Sequence, residues 1–191
     1  MNKKAQGFTI VELLIVIVVI AILAAISIAA YTNIQQRAKN TAIINAASQS
    51  LKMIQAYIAE NGAYPLKDSA CITIDSGCQT LPDADSTISA NLTFNANMAT
   101  IGTLPKSVPT EGSRLYGVTY IYSSPATYNG KSQPASLRYA LSGKNQQCRL
   151  PGVEGWVASN TYVNSTTGYY YYQAALDKTE CVINIPGPEH S

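Results

Sequence analysis

Apolar and polar residues fall along this chain in three regimes. From Phe8 to Ala30 the side chains are apolar or small for 23 residues, with Glu12 the one charge among them. A helix of that length spans roughly 34 Å at about 1.5 Å per residue, enough for a hydrocarbon core of about 30 Å. From Tyr31 the pattern turns amphipathic, with Ile43, Ala47, Leu51, Ile54 and Ile58 recurring at spacings of three and four. Those spacings place them on one helical stripe, whose expected role is to carry a head domain. Asn61-Gly62 ends the pattern, with Gly62 as the candidate left-handed residue past the last turn and Pro65 shortly beyond. No Gly or Pro occurs from Phe8 to Asn61. One helix over residues 8–60, roughly 80 Å long and resistant to kinking, is predicted.

The third regime, residues 61–191, is rich in Thr, Ser, Asn, Gly, Pro and Tyr. Residues 66–112 carry short apolar pieces among polar ones and read as a long connection wrapping the helix. Residues 114–122, 136–142, 146–150, 155–158, 168–175 and 181–185 are candidate strands, separated by Pro and Gly. A helix packed on an antiparallel sheet is the expected product, an α+β fold. In a strand, the run Tyr169–Tyr172 would send alternate rings to opposite faces, two to the core and two to solvent or a partner.

Composition then removes whole classes of chemistry. Only 13% of the residues are charged, about half the usual share, while 13 Tyr and one Trp supply apolar surface for a core. The single histidine, His190, is the penultimate residue, so neither a His-based nucleophile pair nor a His-rich metal site is expected. Gly130-Lys131-Ser132 has the ending of a phosphate-binding loop, but Pro125 stands where its first glycine belongs, and it reads as a turn. No enzyme, cofactor or metal is expected.

Charge is polarised along the chain. Arg114, Lys131, Arg138, Lys144 and Arg149 lie in a stretch without acids, whereas Glu60, Asp68, Asp75, Asp83 and Asp85 are opposed by Lys67 alone. The basic five form a possible surface for an anionic partner. Tyr116, Tyr120, Tyr122, Tyr128 and Tyr139 interleave with them, which leaves nucleic acid as a weaker reading. Meeting of opposite surfaces between subunits is the other.

Lys3 and Lys4 precede the apolar run, and the positive-inside rule keeps the N-terminus in the cytoplasm and the head outside. A cleaved secretory signal, cut near Ala25 or Ala30, would contain a shorter apolar region and no carboxylate. A plain membrane anchor explains the length but gives Glu12 no purpose, although a buried charge is costly. The segment Lys3-Lys4-Ala5-Gln6-Gly7-Phe8-Thr9-Ile10-Val11-Glu12-Leu13-Leu14 resembles the class III signal of type IV pilins and their relatives, the type II secretion pseudopilins and competence pilins. Asn61-Gly62-Ala63-Tyr64-Pro65 is similar to the segment that follows the long helix in many of them.

The resemblance implies a pilin fold with a leader, residues 1–7, cut between Gly7 and Phe8 by a prepilin peptidase, and N-methylation of Phe8. It implies a membrane and filament-core helix over 8–30, an amphipathic helix over 31–60 and a head over 61–191. Glu12 would be the assembly determinant. Cleavage creates an ammonium four residues before it, and in a filament its carboxylate could meet the Phe8 amine of a neighbour. The partners implied are copies of the chain, the pilus assembly platform and motor, and the cytoplasmic membrane before export into an extracellular filament. Adhesion, twitching motility and DNA uptake are the associated uses; a minor pilin, a pseudopilin and a DNA-binding or adhesive tip subunit are the alternatives. Many pilins carry Gly and Pro within the apolar helix; here Ala21 and Ala29 stand instead.

Four cysteines in an exported head suggest two disulfides, for which sequence allows three connectivities. Cys71 with Cys78, closing a small loop, and Cys148 with Cys181 are favoured. The second would resemble the disulfide-bounded region of many pilins.

Overall fold

A computed structural model describes residues 9–79, 87–106, 115–122, 127–128, 131–156 and 168–187. The elements in chain order are α1 (Ile10–Asn61), β1 (Ala70–Cys71), α2 (Leu92–Ala99), β2 (Val118–Tyr122), β3 (Thr127–Tyr128), β4 (Lys131–Ser132), β5 (Ala135–Ser142), β6 (Val153–Trp156), β7 (Gly168–Gln173) and β8 (Lys178–Ile185). Residues up to Ala38 form one unit and those from Lys39 onward a second.

In the first unit, α1 is long and apolar enough to cross a membrane. Its aliphatic side chains are exposed in the isolated chain, among them Ile10, Leu13, Ile20 and Ile28. Ser27 lies within this stretch and donates its hydroxyl to the Leu23 carbonyl at 2.7 Å. An apolar environment therefore meets no bare hydroxyl there.

The second unit packs the rest of α1 on a six-stranded sheet ordered β1-β2-β5-β8-β7-β6. All neighbours are antiparallel except β6 with β7, which run parallel. The stripe seen in the sequence faces this core: Ile43, Ala47, Leu51, Ile54 and Ile58 are all buried, against Tyr120, Leu137, Tyr139, Ile183 and Ile185. Burial of each large aliphatic side chain contributes roughly 1.5–3 kcal/mol. Gly62 closes α1 with φ +61°, its N–H reaching the Ile58 carbonyl at 2.9 Å, the left-handed cap that a glycine adopts without strain.

Three core tyrosines reach backbone carbonyls: Tyr120 to Leu66 at 2.8 Å, Tyr139 to Cys148 at 2.7 Å and Tyr64 to Ile185 at 3.1 Å. They pin irregular segments to the core while filling it. Burial pushes the phenols of Tyr120 and Tyr139 well above their ordinary range. They stay protonated and donating.

Several strands differ from the sequence reading. Residues 146–150 form no strand. Asn145 and Arg149 both have positive φ, and Cys148 is joined to Cys181, so this stretch is a turn held by a crosslink. The strand expected over 155–158 lies at Val153–Trp156 and pairs in parallel with β7. Gly168 makes that pairing possible, since a Cβ there would come within 2.9 Å of the Gly152 and Val182 carbonyl oxygens. The connection over 66–112 contains the helix α2, capped where the Asn91 side chain accepts from the Phe94 N–H at 3.1 Å and anchored by buried Phe94 and Met98.

Both faces of the central strands are buried. Away from α1, the second face carries Thr119, Ser136, Arg138, Glu180, Val182, Tyr169 and Tyr171, all buried. The tyrosine run thus divides differently from expectation. Tyr169 and Tyr171 pack with Val182, Tyr170 is half-buried against the main core, and Tyr172 is half-buried with its hydroxyl on Asp177 Oδ1 at 2.7 Å.

Asn40 sets the helix register in the second unit. Its Nδ2 donates to the Ser142 carbonyl at 3.0 Å and to Gln146 Oε1 at 3.1 Å, while its Oδ1 accepts from the Ser142 N–H at 3.0 Å. Replacement by alanine removes three hydrogen bonds made by a buried side chain, which costs about 1–3 kcal/mol. Urea unfolding of the full chain in detergent, followed by Trp156 fluorescence, should show that loss for Asn40→Ala.

Candidate functional site

Glu12 is the one charge in the apolar segment, and the structure gives it a partner that the sequence reading overlooked. Thr9 immediately precedes α1, and its carbonyl accepts from the Leu13 N–H at 3.3 Å. Its hydroxyl accepts from the Glu12 N–H at 3.2 Å. The Glu12 side chain turns back, so that Oε2 accepts from the Thr9 N–H at 2.8 Å and from the Thr9 hydroxyl at 2.7 Å. This is a capping box, in which a Thr and a Glu three residues later satisfy each other's backbone donors at a helix start. The signal, Thr-x-x-Glu ahead of an apolar run, is legible in Thr9-Ile10-Val11-Glu12.

The cap serves two ends. Helix N-termini carry unpaired N–H groups that apolar surroundings penalise, and here the carboxylate and hydroxyl satisfy two of them. The same end of the helix is its positive pole, which favours an anion. Both hydrogen bonds fall on Oε2; Oε1 accepts none among the described residues. Gly7 and Phe8 lie outside the described residues.

The basic residues singled out in the sequence do not form one surface. Arg138 is 1% exposed in the interior of the sheet, because it sits on central strand β5 and points to the face that is also covered. Its Nη1 lies 4.0 Å from Glu180 Oε1, and the Tyr171 hydroxyl donates to Glu180 Oε2. Lys144 is exposed, with its ammonium 5.5 Å from the Tyr172 ring centre, and Arg149 is exposed on the turn before β6. Arg114 and the Lys131 side chain lie outside the described residues. Among those described, no group of three or more His, Cys, Asp or Glu side chains could hold a metal.

Cys71 is bonded to Cys78, with Cα atoms 5.2 Å apart, and Cys148 to Cys181, at 5.9 Å. The first closes the loop before β2; the second ties the turn after β5 to β8.

An apolar helix with a capped carboxylate in its first turn, in a chain whose second unit packs helix on a largely antiparallel sheet, is a pilin-like architecture. Residues 2–28 match the prokaryotic N-terminal methylation motif. The chain is 34% identical over 93 residues to the type IV wide pilus major component PilA4 of Thermus thermophilus, covering 49% of this chain and 64% of that protein. It is 37% identical over 71 residues to the fimbrial protein EcpC of Eikenella corrodens, covering 37% of this chain and 46% of that one. The chain thus spans less than two-thirds of the length of either relative. No solved structure matches it at a significant level.

Proposed function

We propose that this chain is a prepilin whose processed form is a structural subunit of a type IV pilus. The observation that carries the reading is the junction of a capped carboxylate to a long helix stretch with no burial of its own. A prepilin peptidase removes residues 1–7, Phe8 becomes the methylated N-terminus, and residues 8–30 anchor the subunit in the cytoplasmic membrane with the head outside. The same apolar surface then packs in the filament core. Membrane and filament burial use one face, so extraction costs little net hydrophobic energy when neighbours replace lipid. Similarity to a protein named as a major pilus component favours the major-subunit role over the minor-pilin and pseudopilin roles. Burial of Arg138 removes one of the five basic residues offered to an anionic partner, and with it support for DNA binding.

In this reading the capping box holds Glu12 Oε2 within its own helix and leaves Oε1 to meet the Phe8 amine of a neighbour. Glu12→Ala is expected to insert into the membrane normally and to reduce sheared surface filaments by at least tenfold. Thr9→Val keeps the carboxylate but loses the hydroxyl, and is expected to fall between wild type and Glu12→Ala. Normal filaments from Glu12→Ala would sink the role assigned to it. Mass spectrometry of sheared filaments tests the whole proposal: the expected N-terminal peptide begins at methylated Phe8. A peptide beginning after Ala25 or Ala30 would overturn it.

A further inference from the structure

A cleft of about 430 Å³ lies between the disulfide-closed loop and the end of α2, with Asp75, Asn95, Gly102, Thr103, Leu104 and Lys106 in its lining. Its walls are held independently of any ligand. The Cys71–Cys78 bond closes the loop that carries Asp75. On the other side, Phe94 and Met98 bury α2, and Asn97 Nδ2 donates to the Pro65 carbonyl at 2.7 Å.

The polar groups are of three kinds. Lys106 Nζ and Asp75 Oδ1 meet at 2.8 Å, with both side chains open to solvent. Thr103 adds a hydroxyl. Asn95 lines the cleft, and its Oδ1 is turned away from water and accepts no hydrogen bond among the described residues.

We infer that this cleft binds a small neutral polyhydroxylated ligand, the end of a saccharide chain. The Lys106–Asp75 pair carries no net charge, so the wall attracts neither small anions nor small cations strongly. An adjacent donor and acceptor match the two hydroxyls of a vicinal diol: one accepts from Nζ and its neighbour donates to the carboxylate. The Asn95 side chain lines the same cleft. Leu104, nearly buried, and Gly102 give an apolar floor for the C–H side of a ring. The volume falls within the usual range for small-ligand sites. Nothing in this inference depends on filament assembly.

The test is saturation-transfer NMR on the full chain in detergent micelles, with glucose, galactose, mannose and N-acetylglucosamine as probes and acetate and methylammonium as charged comparators. At least one sugar should receive saturation while the charged probes do not. Asp75→Ala removes an exposed carboxylate and should weaken that signal at least tenfold without changing the melting temperature. Gly102→Leu should abolish it by filling the floor; the nearest atom to a Cβ there is Met53 Cε at 3.7 Å, an ordinary contact. No response from any sugar, a response that survives both variants, or a stronger response from either ion would overturn the inference.

Discussion

At pH 8, where Glu180 is ionised, Arg138→Met is expected to destabilise the head by about 3–5 kcal/mol, the cost of removing one partner from a buried ion pair. Arg138 and Glu180 are each 1% exposed, on adjacent central strands β5 and β8. Without the guanidinium, Glu180 keeps the Tyr171 hydroxyl on Oε2, and its Oε1 accepts no hydrogen bond among the described residues. Methionine fills most of the volume, so the loss would be electrostatic. The double variant Arg138→Met/Glu180→Leu is therefore expected to recover much of the stability. Urea unfolding checks both; equal losses in the single and double variants would mean that packing, not charge, dominates the site.

The same pair gives the native protein a pH dependence. Burial pushes the Glu180 carboxyl up to about 7 from its ordinary 4.5, outweighing the opposing pulls of Tyr171 and Arg138. Lys178 lies two residues away on the same strand face and donates to the Leu115 carbonyl. A raised acid pKa means that the folded chain binds the proton more tightly than the unfolded one. Its contribution is fully present below about 4.5 and is lost as pH rises towards 7. The expected result is a head more resistant to urea at pH 5 than at pH 7.5, with the difference shrinking in Glu180→Gln.

Position along the chain explains which features could be read in advance. The α1 stripe was legible because five residues at helical spacing need only one partner surface, and Gly62 because a left-handed cap favours one residue type. Arg138 was not. Alternation of Ser136 and Arg138 with Leu137 and Tyr139 is what an antiparallel strand with one wet face shows, and nothing local reveals that this sheet is covered on both sides. The helix α2 escaped notice because eight residues with three polar side chains carry little periodicity; its evidence is the Asn91 cap and two buried anchors. At the candidate site the converse holds: Glu12 was weighed as a lone charge, and its partner Thr9 was present in a local pattern.

Removing the Cys148–Cys181 bond is expected to cost about 3.5–4 kcal/mol by loop closure in the chain-entropy model, against about 2–2.5 kcal/mol for Cys71–Cys78. The difference follows from separations of 33 and 7 residues. Structure adds a second reason for the order. Residues 143–152 run without a regular strand, and the ties that hold them include the Cys148 bond, the Tyr139 hydroxyl on the Cys148 carbonyl, the Gln146 N–H on the Thr179 hydroxyl and the Asn40 amide on Gln146 Oε1. Loss of the crosslink therefore also loosens the approach to edge strand β6. Cys148→Ser/Cys181→Ser in the full chain in detergent should melt roughly 7–15 °C lower, followed by Trp156 fluorescence, and protease should cut first within residues 143–152. Cys71→Ser/Cys78→Ser should melt less far below wild type and leave that turn protected. A reversed order would mean that the small loop, through Asp75 and the wall of the cleft, holds more of the head together than closure entropy assigns to it.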